Sequence, residues 1–574
     1  MKKCSGKYEF MTRFLALLAA WFCLGVVTEA ASAAAGKRPN VLLIMTDDQG
    51  WGDFGFHGNP HLKTPHLDRL AGEGLELTQF YVSPVCSPTR ASLLTGRYNY
   101  RTGAIDTYRG RSTMVTEEVT LAEMLSAAGY RTGIFGKWHL GDDYPSRPID
   151  QGFAEELVHR GGGIGQPADP PGNHYFDPIL LHNGLEQQSH GYCSDAFTEA
   201  AIQFIAEDRD RPFFVYLPFN CPHTPLEVPP GYLERYRGLS LNDETARVYG
   251  MIANIDDNLG RLLAKLDELG LRDDTIVVFL TDNGPQQRRY NGALRDLKGS
   301  VYEGGIHTTC LMRWPGKLSA GSKQAQLAAH IDLVPTLLAA CNVARPDAVA
   351  LDGIDLLPWL VGERTEPLER TLFFQWHRGD VPERFRACAV RTLRYKLLQA
   401  SGRDEGKAFQ PKWELYDLAS DPGETRDIIE LHPEVVDALK GAYEKWFDDV
   451  SSTRGFPRPR IIVGTSHENP VTLTRQDWRG PQANWSPTGL GNWQVEIATP
   501  GVYELTVRAA AANEPGTVEL RIADHVLTQP LAARQDHVVF KAVRLESGTQ
   551  AVEARVENQR GVSGAHYVDL LKTD

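Results

Sequence analysis

The sequence predicts an α/β protein in which helices cover both faces of a largely parallel sheet, followed by a small α+β subdomain and an all-β sandwich. Three changes of pattern along the chain support this prediction. Up to about residue 365, short apolar runs such as VLLIM (41–45) and TIVVFL (275–280) lack polar alternation, which is typical of parallel strands buried on both faces. A mixed segment follows, and strongly alternating strands end the chain.

The helices of the first part are recognised by their apolar spacing and by the residues that end them. Segments 66–74, 120–129 and 250–270 carry apolar residues at helical intervals, and each ends at a glycine. Each of the last two is followed by an apolar strand, which gives the strand–helix–strand order of a parallel sheet. The glycine-rich segment 161–191 is too long for a plain connection and is predicted to face a substrate.

The remaining chain divides at residue 365 and again near residue 460. Residues 366–455 combine short strands with the helical segment PEVVDALKGAYEKWFDDV, so we expect a C-terminal subdomain of the α/β domain 36–365. After the breaker STRGFPRPR, residues 462–574 alternate as in a β-sandwich. Its Trp478, Trp485 and Trp493 either stack on sugars, which would make this a carbohydrate-binding domain, or fill the core and the interface with the α/β domain.

Residues 1–35 are predicted to be a secretion signal. Four basic residues precede the apolar run FLALLAAWFCLGVV, and Ala33 and Ala35 fit a small-residue cleavage pattern. The run is short for a membrane span, although a membrane anchor is the alternative. We therefore expect a periplasmic or secreted protein that has no membrane contact once the signal is removed.

The net charge and the cysteine spacing argue against a nucleic-acid partner, a zinc site and a dense disulfide framework. The formal net charge of −13 argues against a nucleic-acid partner. Of the eight cysteines, Cys4 and Cys23 lie in the signal, and none of the others forms a C-x-x-C pair. Neither a zinc site nor a dense disulfide framework is therefore indicated, and any disulfide pairing stays open. The six remaining cysteines are Cys86, Cys193, Cys221, Cys310, Cys341 and Cys388.

Two segments, LLIMTDDQG and VVFLTDNGP, repeat one pattern at the ends of predicted strands. Each places oxygen-bearing side chains directly after an apolar strand, namely Asp47 and Asp48 in the first and Asp282 and Asn283 in the second. In a parallel sheet such strand ends meet at one edge. Three carboxylates and an amide there predict a site for a hard divalent cation, Ca²⁺ or Mg²⁺ rather than zinc. The competing interpretation is that they cap turns and helices.

Basic residues also fall at or near predicted strand ends. GKWHLG supplies Lys137 and His139, CPHTP supplies His223 and LKGSVYEGG supplies Lys298. Each alone is more often a solvated or structural residue. Together beside a cation they predict a clamp for a negatively charged substrate with a general acid or base.

The stretch PVCSPTRASLLTGR connects these features. Its Cys86, Pro88 and Arg90, followed by T-G-R, resemble the C-x-P-x-R signature of the type I sulfatase family. The other motifs follow in the order found in that family, and the resemblance extends from about residue 39 to about residue 450. A packed or disulfide-bonded Cys86 is the alternative. The resemblance implies an alkaline-phosphatase-like fold and an arylsulfatase-like sulfuric ester hydrolase.

The resemblance also implies roles for individual residues. A maturation enzyme would recognise the signature and oxidise Cys86 to formylglycine. Residue 86 would then join the Ca²⁺ ligands, and Arg90 would hold the aldehyde hydrate. Lys137 and Lys298 would contact the sulfate oxygens. His223, alone or with Lys298, would protonate or polarise the leaving alcohol. His139 would help to release sulfate.

The implied reaction uses the two hydroxyls of the aldehyde hydrate. One attacks sulfur and displaces the substrate alcohol, and deprotonation of the other expels sulfate as the aldehyde forms again. A serine in this position would remain trapped as a stable sulfate ester. The surrounding positive charges would stabilise the developing negative charge.

The substrate is expected to be a sulfated carbohydrate, by analogy with other exported enzymes that carry a β-sandwich. Two alternatives remain: a phosphonate or phosphate-ester hydrolase of the same superfamily, and a non-catalytic glycan-binding protein. Further polar loop residues are candidates for sugar subsites, although most charged loop residues are solvated. These candidates are Tyr108, Arg109, Arg288, Arg289, His377 and Arg378.

Overall fold

The computed structural model describes residues 37–510 and 513–574. The predicted signal, residues 1–35, lies outside the described residues. Thirteen strands form the first part of the chain: β1 (Asn40–Thr46), β2 (Leu75–Leu77), β3 (Phe80–Tyr81), β4 (Arg131–Lys137), β5 (Glu155–His159), β6 (Ile179–His182), β7 (Leu185–Gln188), β8 (Phe213–Pro218), β9 (Thr275–Thr281), β10 (His307–Thr308), β11 (Cys310–Arg313), β12 (Ser322–Gln324) and β13 (Ala328–Ala329).

The helices of this part are α1 (Pro65–Glu73), α2 (Cys86–Thr95), α3 (Asn99–Thr102), α4 (Leu121–Ala127), α5 (Cys193–Glu207), α6 (Pro230–Glu234), α7 (Asp243–Glu268), α8 (Glu303–Ile306), α9 (Leu333–Ala340) and α10 (Leu357–Leu360). Local sequence explains where several of them begin and end. Thr120 and Glu123 form a reciprocal capping box at the start of α4, and the Asn242 side chain caps α7. Gly96, at a φ of 68°, ends α2.

Ten strands form one sheet in the order β12-β2-β11-β9-β1-β8-β4-β5-β6-β7. Its central strands β9, β1, β8, β4 and β5 run parallel, and antiparallel pairs appear toward both edges. The mixed, largely parallel sheet predicted from the apolar runs is therefore confirmed. A second, three-stranded sheet has the order β10-β3-β13.

Both faces of the large sheet are covered, as the uninterrupted apolar runs predict. All seven residues of β1 are buried. Val41 and Leu43 pack on one face with residues of α2, α4 and α9, whereas Leu42 and Ile44 pack on the other with residues of α1, α5 and α7. Such two-sided burial fixes the central strands and therefore the loops that leave their carboxyl ends.

The subdomain after residue 365 is a four-stranded antiparallel sheet with one long helix. The strands are β14 (Leu372–Gln375), β15 (Cys388–Arg391), β16 (Tyr395–Gln399) and β17 (Glu414–Asp417), and the helix is α11 (Pro433–Ser452). Val390 and Leu397 pack on Tyr443 of α11, whereas Ala389 and Leu398 pack with residues of the first part of the chain. The sheet thus lies between its helix and the catalytic region.

The end of the chain is a sandwich of two antiparallel sheets. Its strands are β18 (Ile461–Val463), β19 (Val471–Thr474), β20 (Asn492–Ile497), β21 (Gly501–Arg508), β22 (Gly516–Ile522), β23 (His525–Leu531), β24 (His537–Leu545), β25 (Gly548–Asn558), β26 (Gly561–Gly564) and β27 (Tyr567–Lys572). One sheet has the order β18-β20-β25-β22-β23, and the other β19-β27-β21-β24. Apart from the parallel pair β18–β20, the pairing is antiparallel.

Two of the three tryptophans lie in the sandwich core. Trp478 and Trp493 are fully buried with ring centroids 6.0 Å apart. Gly491 and Gly564 allow the chain to pass close to Trp478, since a Cβ at either position would meet the indole ring at 2.7 Å. Trp485 is only half-buried. Core packing thus explains the positions of Trp478 and Trp493 but not that of Trp485.

The structure also bears on the cysteines, on membrane-spanning helices and on the domain boundaries. All six cysteines of the described chain are free, and Cys193 and Cys221 have their sulfur atoms 3.9 Å apart. No helix within residues 37–510 and 513–574 is both long and apolar enough to cross a membrane. The boundaries proposed at residues 365 and 462 remain predictions, and Asn40–Asp574 pack as one compact unit.

Candidate active site

The carboxyl ends of β1 and β9 bring the predicted oxygen ligands together. The two strands pair in parallel with Thr46 opposite Thr281, so the residues that follow lie side by side. The Asp48 amide donates to Asp282 Oδ1 at 3.2 Å, and Asn283 Nδ2 donates to Asp48 Oδ1 at 2.8 Å. Pairing of two sequence-distant strands therefore builds one buried cluster of acids.

The cluster offers oxygen atoms to a cation. Asp47 Oδ1, Asp48 Oδ2 and Asn283 Oδ1 are buried and accept no hydrogen bond from any residue of the described chain. Ligand atoms of Asp47, Cys86 and Asp282 lie within 4.8 Å of one another, as do those of Asp47, Asp48 and His223. Buried carboxylate and amide oxygens without donors fit a hard divalent cation. The acidic cluster can thus hold a metal ion.

Three basic side chains face the same acids. Lys137 Nζ pairs with Asp47, Arg90 Nη2 lies 2.8 Å from Asp282 Oδ2, and Lys298 Nζ lies 2.6 Å from Asp48 Oδ1. Arg90 also donates to the Lys137 carbonyl at 2.8 Å. Each buried carboxylate thus has a cationic partner, which is the condition for burying charge.

The pKa values of two of these acids shift in opposite directions. Burial alone would raise the pKa of Asp47, but the charges of Lys137, His223 and Arg90 lower it well below its usual range. Burial and the neighbouring charge of Asp47 raise the pKa of Asp282 to about 7. Repulsion between carboxylates is thus only partly relieved by the protein, and a bound cation would remove it.

Cys86 is the first residue of α2 and is 2% exposed. Pro88 fits the first turn because that turn needs no backbone donor there, and all ten residues of the helix are buried. Ser87 Oγ donates to the His139 carbonyl at 2.6 Å, which ties this turn to the GKWHLG segment. Residue 86 therefore lies at the positive end of a helix dipole, beside the acidic cluster.

His139 and His223 use different ring nitrogens for their hydrogen bonds, so a different nitrogen is left free in each. His139 Nε2 donates to the Thr107 carbonyl at 2.8 Å, and its buried Nδ1 has no hydrogen-bond partner in the described chain. His223 Nδ1 donates to the Thr224 carbonyl at 2.7 Å, which leaves Nε2 at 3.7 Å from Asp48 Oδ2. Burial lowers the pKa of both rings, that of His139 well below its usual range.

His139 and Asp48 also hold unusual backbone conformations. Their φ values are 61° and 63°, in the left-handed region that non-glycine residues seldom adopt. Each costs on the order of 1 kcal/mol, which the surrounding packing has to offset. Both are residues that sequence reasoning assigned to the site.

A cavity of about 530 Å³ opens above Cys86. Its walls come from all three parts of the chain, including His139, His223, Lys298, Arg378 and Trp485. Gly162 and Gln166 line it as well, so the long segment 161–191 does reach the cavity. The volume lies in the range of small-molecule sites.

The sugar-subsite candidates divide into two groups. Tyr108 and Arg378 line the cavity, and the Arg378 guanidinium lies 4.7 Å from the Tyr108 ring centroid. The other four do not line it: Arg109 pairs with Glu405, His377 is buried, Arg288 is exposed and Arg289 binds Asp53 and the Asp48 carbonyl. Their part in substrate binding remains a prediction.

Sequence reasoning missed several wall residues. Trp376 and Arg403 of the subdomain and Thr107 near the first helices line the cavity but were not among the candidates. Trp376 directly precedes the candidates His377 and Arg378, and Thr107 directly precedes Tyr108, so their neighbours were the available signal. For Arg403 the sequence holds no comparable signal.

Comparison with known proteins identifies the family. The family described as Sulfatase matches residues 39–343, and that described as N-sulphoglucosamine sulphohydrolase, C-terminal, matches residues 296–446. Arylsulfatase A from Homo sapiens is 35% identical over 465 residues, covering 72% of this chain and 88% of that protein. The chain belongs to the sulfatase family. This sulfatase is thus a sulfuric ester hydrolase of the alkaline-phosphatase-like superfamily, as its motifs predict.

Other relatives of this sulfatase act on or bind sugars. N-acetylgalactosamine-6-sulfatase from Canis lupus familiaris is 34% identical over 393 residues, covering 63% of this chain and 73% of that protein. A crystal structure of Ps i-CgsB in complex with k-i-k-neocarrahexaose has a TM-score of 0.66 and 28% identity, covering 73% of this chain and 95% of that one. Both family matches end by residue 446, so the β-sandwich lies outside them.

Proposed function

We propose that this sulfatase hydrolyses sulfate esters of a carbohydrate, with formylglycine at position 86 and a Ca²⁺ ion. The observation that carries the proposal is the position of Cys86. It lies at the start of α2, on the floor of the cavity, between the acidic cluster and two lysines. That arrangement suits a nucleophile directed at an anionic ester.

Cys86 is poorly suited to react as a thiol. Burial raises its pKa, and the nearby charges of Lys137 and Lys298 only partly oppose that effect. A neutral thiol is a weak nucleophile, and its sulfur is a soft atom among hard oxygen ligands. The hydrated aldehyde of formylglycine supplies two hydroxyls, one to attack sulfur and one to expel sulfate afterwards.

Asp47, Asp48, Asp282 and Asn283 are the residues that would hold the cation, together with residue 86. Ca²⁺ is preferred to Mg²⁺ because it accepts many carboxylate and amide oxygens in flexible geometry. The cation supplies charge stabilisation for a sulfuryl group. Arg90 is held by Asp282 and by the Lys137 carbonyl, in position to orient the hydroxyls of residue 86.

The remaining residues bind the ester and move protons. Lys137 and Lys298 present ammonium groups beside residue 86 and are suited to the sulfate oxygens. With Nδ1 committed to Thr224, His223 can exchange a proton at Nε2 with the leaving oxygen, next to Lys298. His139 has its free lone pair on Nδ1, which can accept the proton of the hydroxyl that expels sulfate.

A carbohydrate fits the wall of the cavity. Tyr108, Trp376 and Trp485 supply aromatic surface, and Arg378 supplies a charge for an acidic substituent. Relatives named for N-acetylgalactosamine 6-sulfate and a neighbour bound to neocarrahexaose support a sulfated saccharide over a phosphate or phosphonate ester. With residues 1–35 as a signal, the enzyme would mature with a formylglycine-generating partner and work in the periplasm or outside the cell.

Two measurements on protein from its own host test the proposal. Mass spectrometry of the peptide with residue 86 is expected to show a loss of about 18 Da, as cysteine becomes formylglycine. Initial rates on an aryl sulfate are expected to exceed those on the matching aryl phosphate. Unmodified Cys86 would refute the nucleophile, and faster phosphate turnover would favour the phosphate-ester alternative.

A further inference from the structure

Trp485 separates two cavities. It lines the cavity above Cys86 and also a second one of about 370 Å³, and Gln166 is shared in the same way. The second cavity is bounded on the sandwich side by Pro487, His566 and Tyr567. Trp485 lies in the segment 475–491 between β19 and β20, which belongs to the β-sandwich.

The ring of Trp485 continues an aromatic wall. Its centroid lies 5.5 Å from that of Tyr108 at a steep angle. The Arg378 guanidinium lies 4.7 Å from the Tyr108 centroid and 5.0 Å from that of Trp376. Three separate parts of the chain thus build one surface of rings and a guanidinium along the cavity. Flat aromatic faces are suited to the apolar faces of sugar rings, while an arginine is suited to sulfate or carboxylate groups.

The segment that carries Trp485 is held in place from within the sandwich. Arg475 donates to the Ser486 carbonyl at 2.7 Å and to the Gly564 carbonyl at 2.7 Å. The Ser486 amide donates to Asn484 Oδ1 at 2.8 Å. These bonds fix the backbone on the C-terminal side of Trp485. A ligand that stacks there does not have to order a mobile loop first, which lowers the entropic cost of binding.

The segment is also fixed to the catalytic region. Gln476 Nε2 donates to the Thr107 carbonyl at 2.9 Å and to Ser112 Oγ at 3.0 Å, and the Gly110 amide donates to the Gln476 carbonyl at 3.0 Å. Gln476 is 2% exposed. The sandwich is therefore anchored at the edge of the active-site cavity.

Core packing does not explain Trp485. Trp478 and Trp493 already fill the sandwich core, whereas Trp485 is half-buried between the two cavities. Its Nε1 is buried and has no hydrogen-bond partner in the described chain. The N–H of the core residue Trp478 is unpaired as well, so it is the position of the Trp485 ring between the two cavities, and not its N–H, that distinguishes it.

From these observations we infer that the β-sandwich completes the substrate site and that Trp485 binds the sugar next to the sulfated one. The inference rests on the proposed sulfatase activity. The substrate is then an oligosaccharide: its sulfated unit occupies the cavity above Cys86, the next ring stacks on Trp485, and further units extend into the second cavity. The sandwich is a wall of the active site and determines specificity for chain length.

The test compares substrates of increasing size. Rates are measured on 4-nitrophenyl sulfate, on 6-sulfated N-acetylgalactosamine and on sulfated oligosaccharides of chondroitin 6-sulfate and carrageenan. Wild-type kcat/KM is expected to be at least about tenfold higher for the best oligosaccharide than for the monosaccharide, equivalent to about 1.4 kcal/mol. Trp485→Ala is expected to remove most of this difference, and Trp485→Phe is expected to keep part of it.

Trp314→Ala is the matched control, since Trp314 is also half-buried and lines neither cavity. Its ratio of oligosaccharide to aryl sulfate turnover should equal that of the wild type. The inference is overturned if Trp485→Ala lowers turnover of every substrate by the same factor, or if the wild type ignores chain length. Aryl sulfate turnover without hydrolysis of any saccharide also overturns it. If formylglycine-containing wild type hydrolyses no sulfate ester at all, the proposed function itself has failed.

Discussion

The contact between Gln476 and Thr107 makes a prediction about catalysis. The Thr107 carbonyl accepts from Gln476 at 2.9 Å and from His139 Nε2 at 2.8 Å. The bond from His139 keeps its proton on Nε2 and leaves Nδ1 free for the proposed role of base. Under that proposal we expect Gln476, although it belongs to the sandwich, to be a positioning residue for His139. Gln476→Met removes both side-chain hydrogen bonds while keeping a similar volume.

The expected losses follow from the bonds removed. Two neutral hydrogen bonds contribute about 1–3 kcal/mol of stability together. Thr107 keeps the bond from His139, so no buried carbonyl is left without a donor. We expect kcat to fall about tenfold, which corresponds to about 1.4 kcal/mol. This is only part of the rate factor of about 10²–10⁴ that a positioned general base contributes. KM should change little, because Gln476 does not line the cavity.

The assay separates positioning from stability. Steady-state kcat and KM on an aryl sulfate are measured together with Tm, after mass spectrometry has shown equal conversion of residue 86. Ser112→Ala is the matched control, because it removes the second acceptor of Gln476 and leaves the bond to Thr107. We expect Ser112→Ala to lower Tm without lowering kcat, and Gln476→Met to lower both. A Gln476→Met enzyme with wild-type kcat and a reduced Tm would refute the reasoning.

Three further predictions concern the nucleophile, the cation and the interface. Cys86→Ala is expected to abolish turnover while Tm stays within a few degrees of the wild type, since only a small buried group is lost; near-normal activity would contradict the assignment. Chelation of Ca²⁺ is expected to remove activity and lower Tm, and added Ca²⁺ to restore both; activity that survives exhaustive chelation would count against the site. Burial and the charge of Asp142 raise the pKa of Asp477 to about 7. The folded state therefore keeps a proton that the unfolded chain releases near pH 4. The free energy of unfolding falls as pH rises from about 4 to about 7. Asp477→Asn should therefore raise Tm more at pH 8 than at pH 5, and an equal effect at both pH values would exclude this explanation.

The clustering of Asp47, Asp48, Asp282 and Asn283 could be predicted from the sequence, because it depends on simple rules of strand burial and pairing; that they bind a cation stays a proposal. An apolar run buried on both faces indicates a central parallel strand, and parallel neighbours end at the same edge of a sheet. The structure places Thr46 opposite Thr281, so the residues after them meet. Lys137 at the end of β4 reaches the same edge for the same reason. Cys86 follows β3, a strand of the separate three-stranded sheet, so this rule does not predict its position, and only its sequence signature pointed to the site.

Trp485 and Gln476 could not be placed in this way. Three tryptophans occur in the sandwich, and alternation along its strands does not say which one leaves the core. Trp478 and Trp485 both lie in the segment before β20, yet one is fully buried and the other reaches the cavity. Their positions depend on how the sandwich docks on a loop more than 350 residues away in the chain. Local patterns carry no information about that contact.

Charged loop residues show a related limit. Arg378 and Arg289 have the same side chain and both were candidates for the substrate. Arg289 instead has a 1% exposed side chain paired with Asp53, and it donates to the Asp48 carbonyl at 2.7 Å. A buried carboxylate requires a partner, and Arg289 meets that requirement for Asp53. Arg378 lines the cavity but also pairs with a buried acid, since its Nη1 lies 2.5 Å from Asp106 Oδ1. Residue type predicts a positive charge, but only the fold decides which groups lie next to it.

Under the proposed function, the charges of the site would link cation binding to sulfate binding. Asp47 and Asp48 each pair with a lysine, and these are the carboxylates expected to bind Ca²⁺. A cation on the unpartnered oxygens, Asp47 Oδ1 and Asp48 Oδ2, would weaken both ion pairs, because a carboxylate that binds a divalent ion attracts an ammonium group less strongly. Both lysines would then become available to the sulfate oxygens. The linkage would be reciprocal, so sulfate bound to the lysines would strengthen the hold of the acids on Ca²⁺. Under the proposed function, the buried ion pairs would thus act as reserves of positive charge that the cation releases for the substrate.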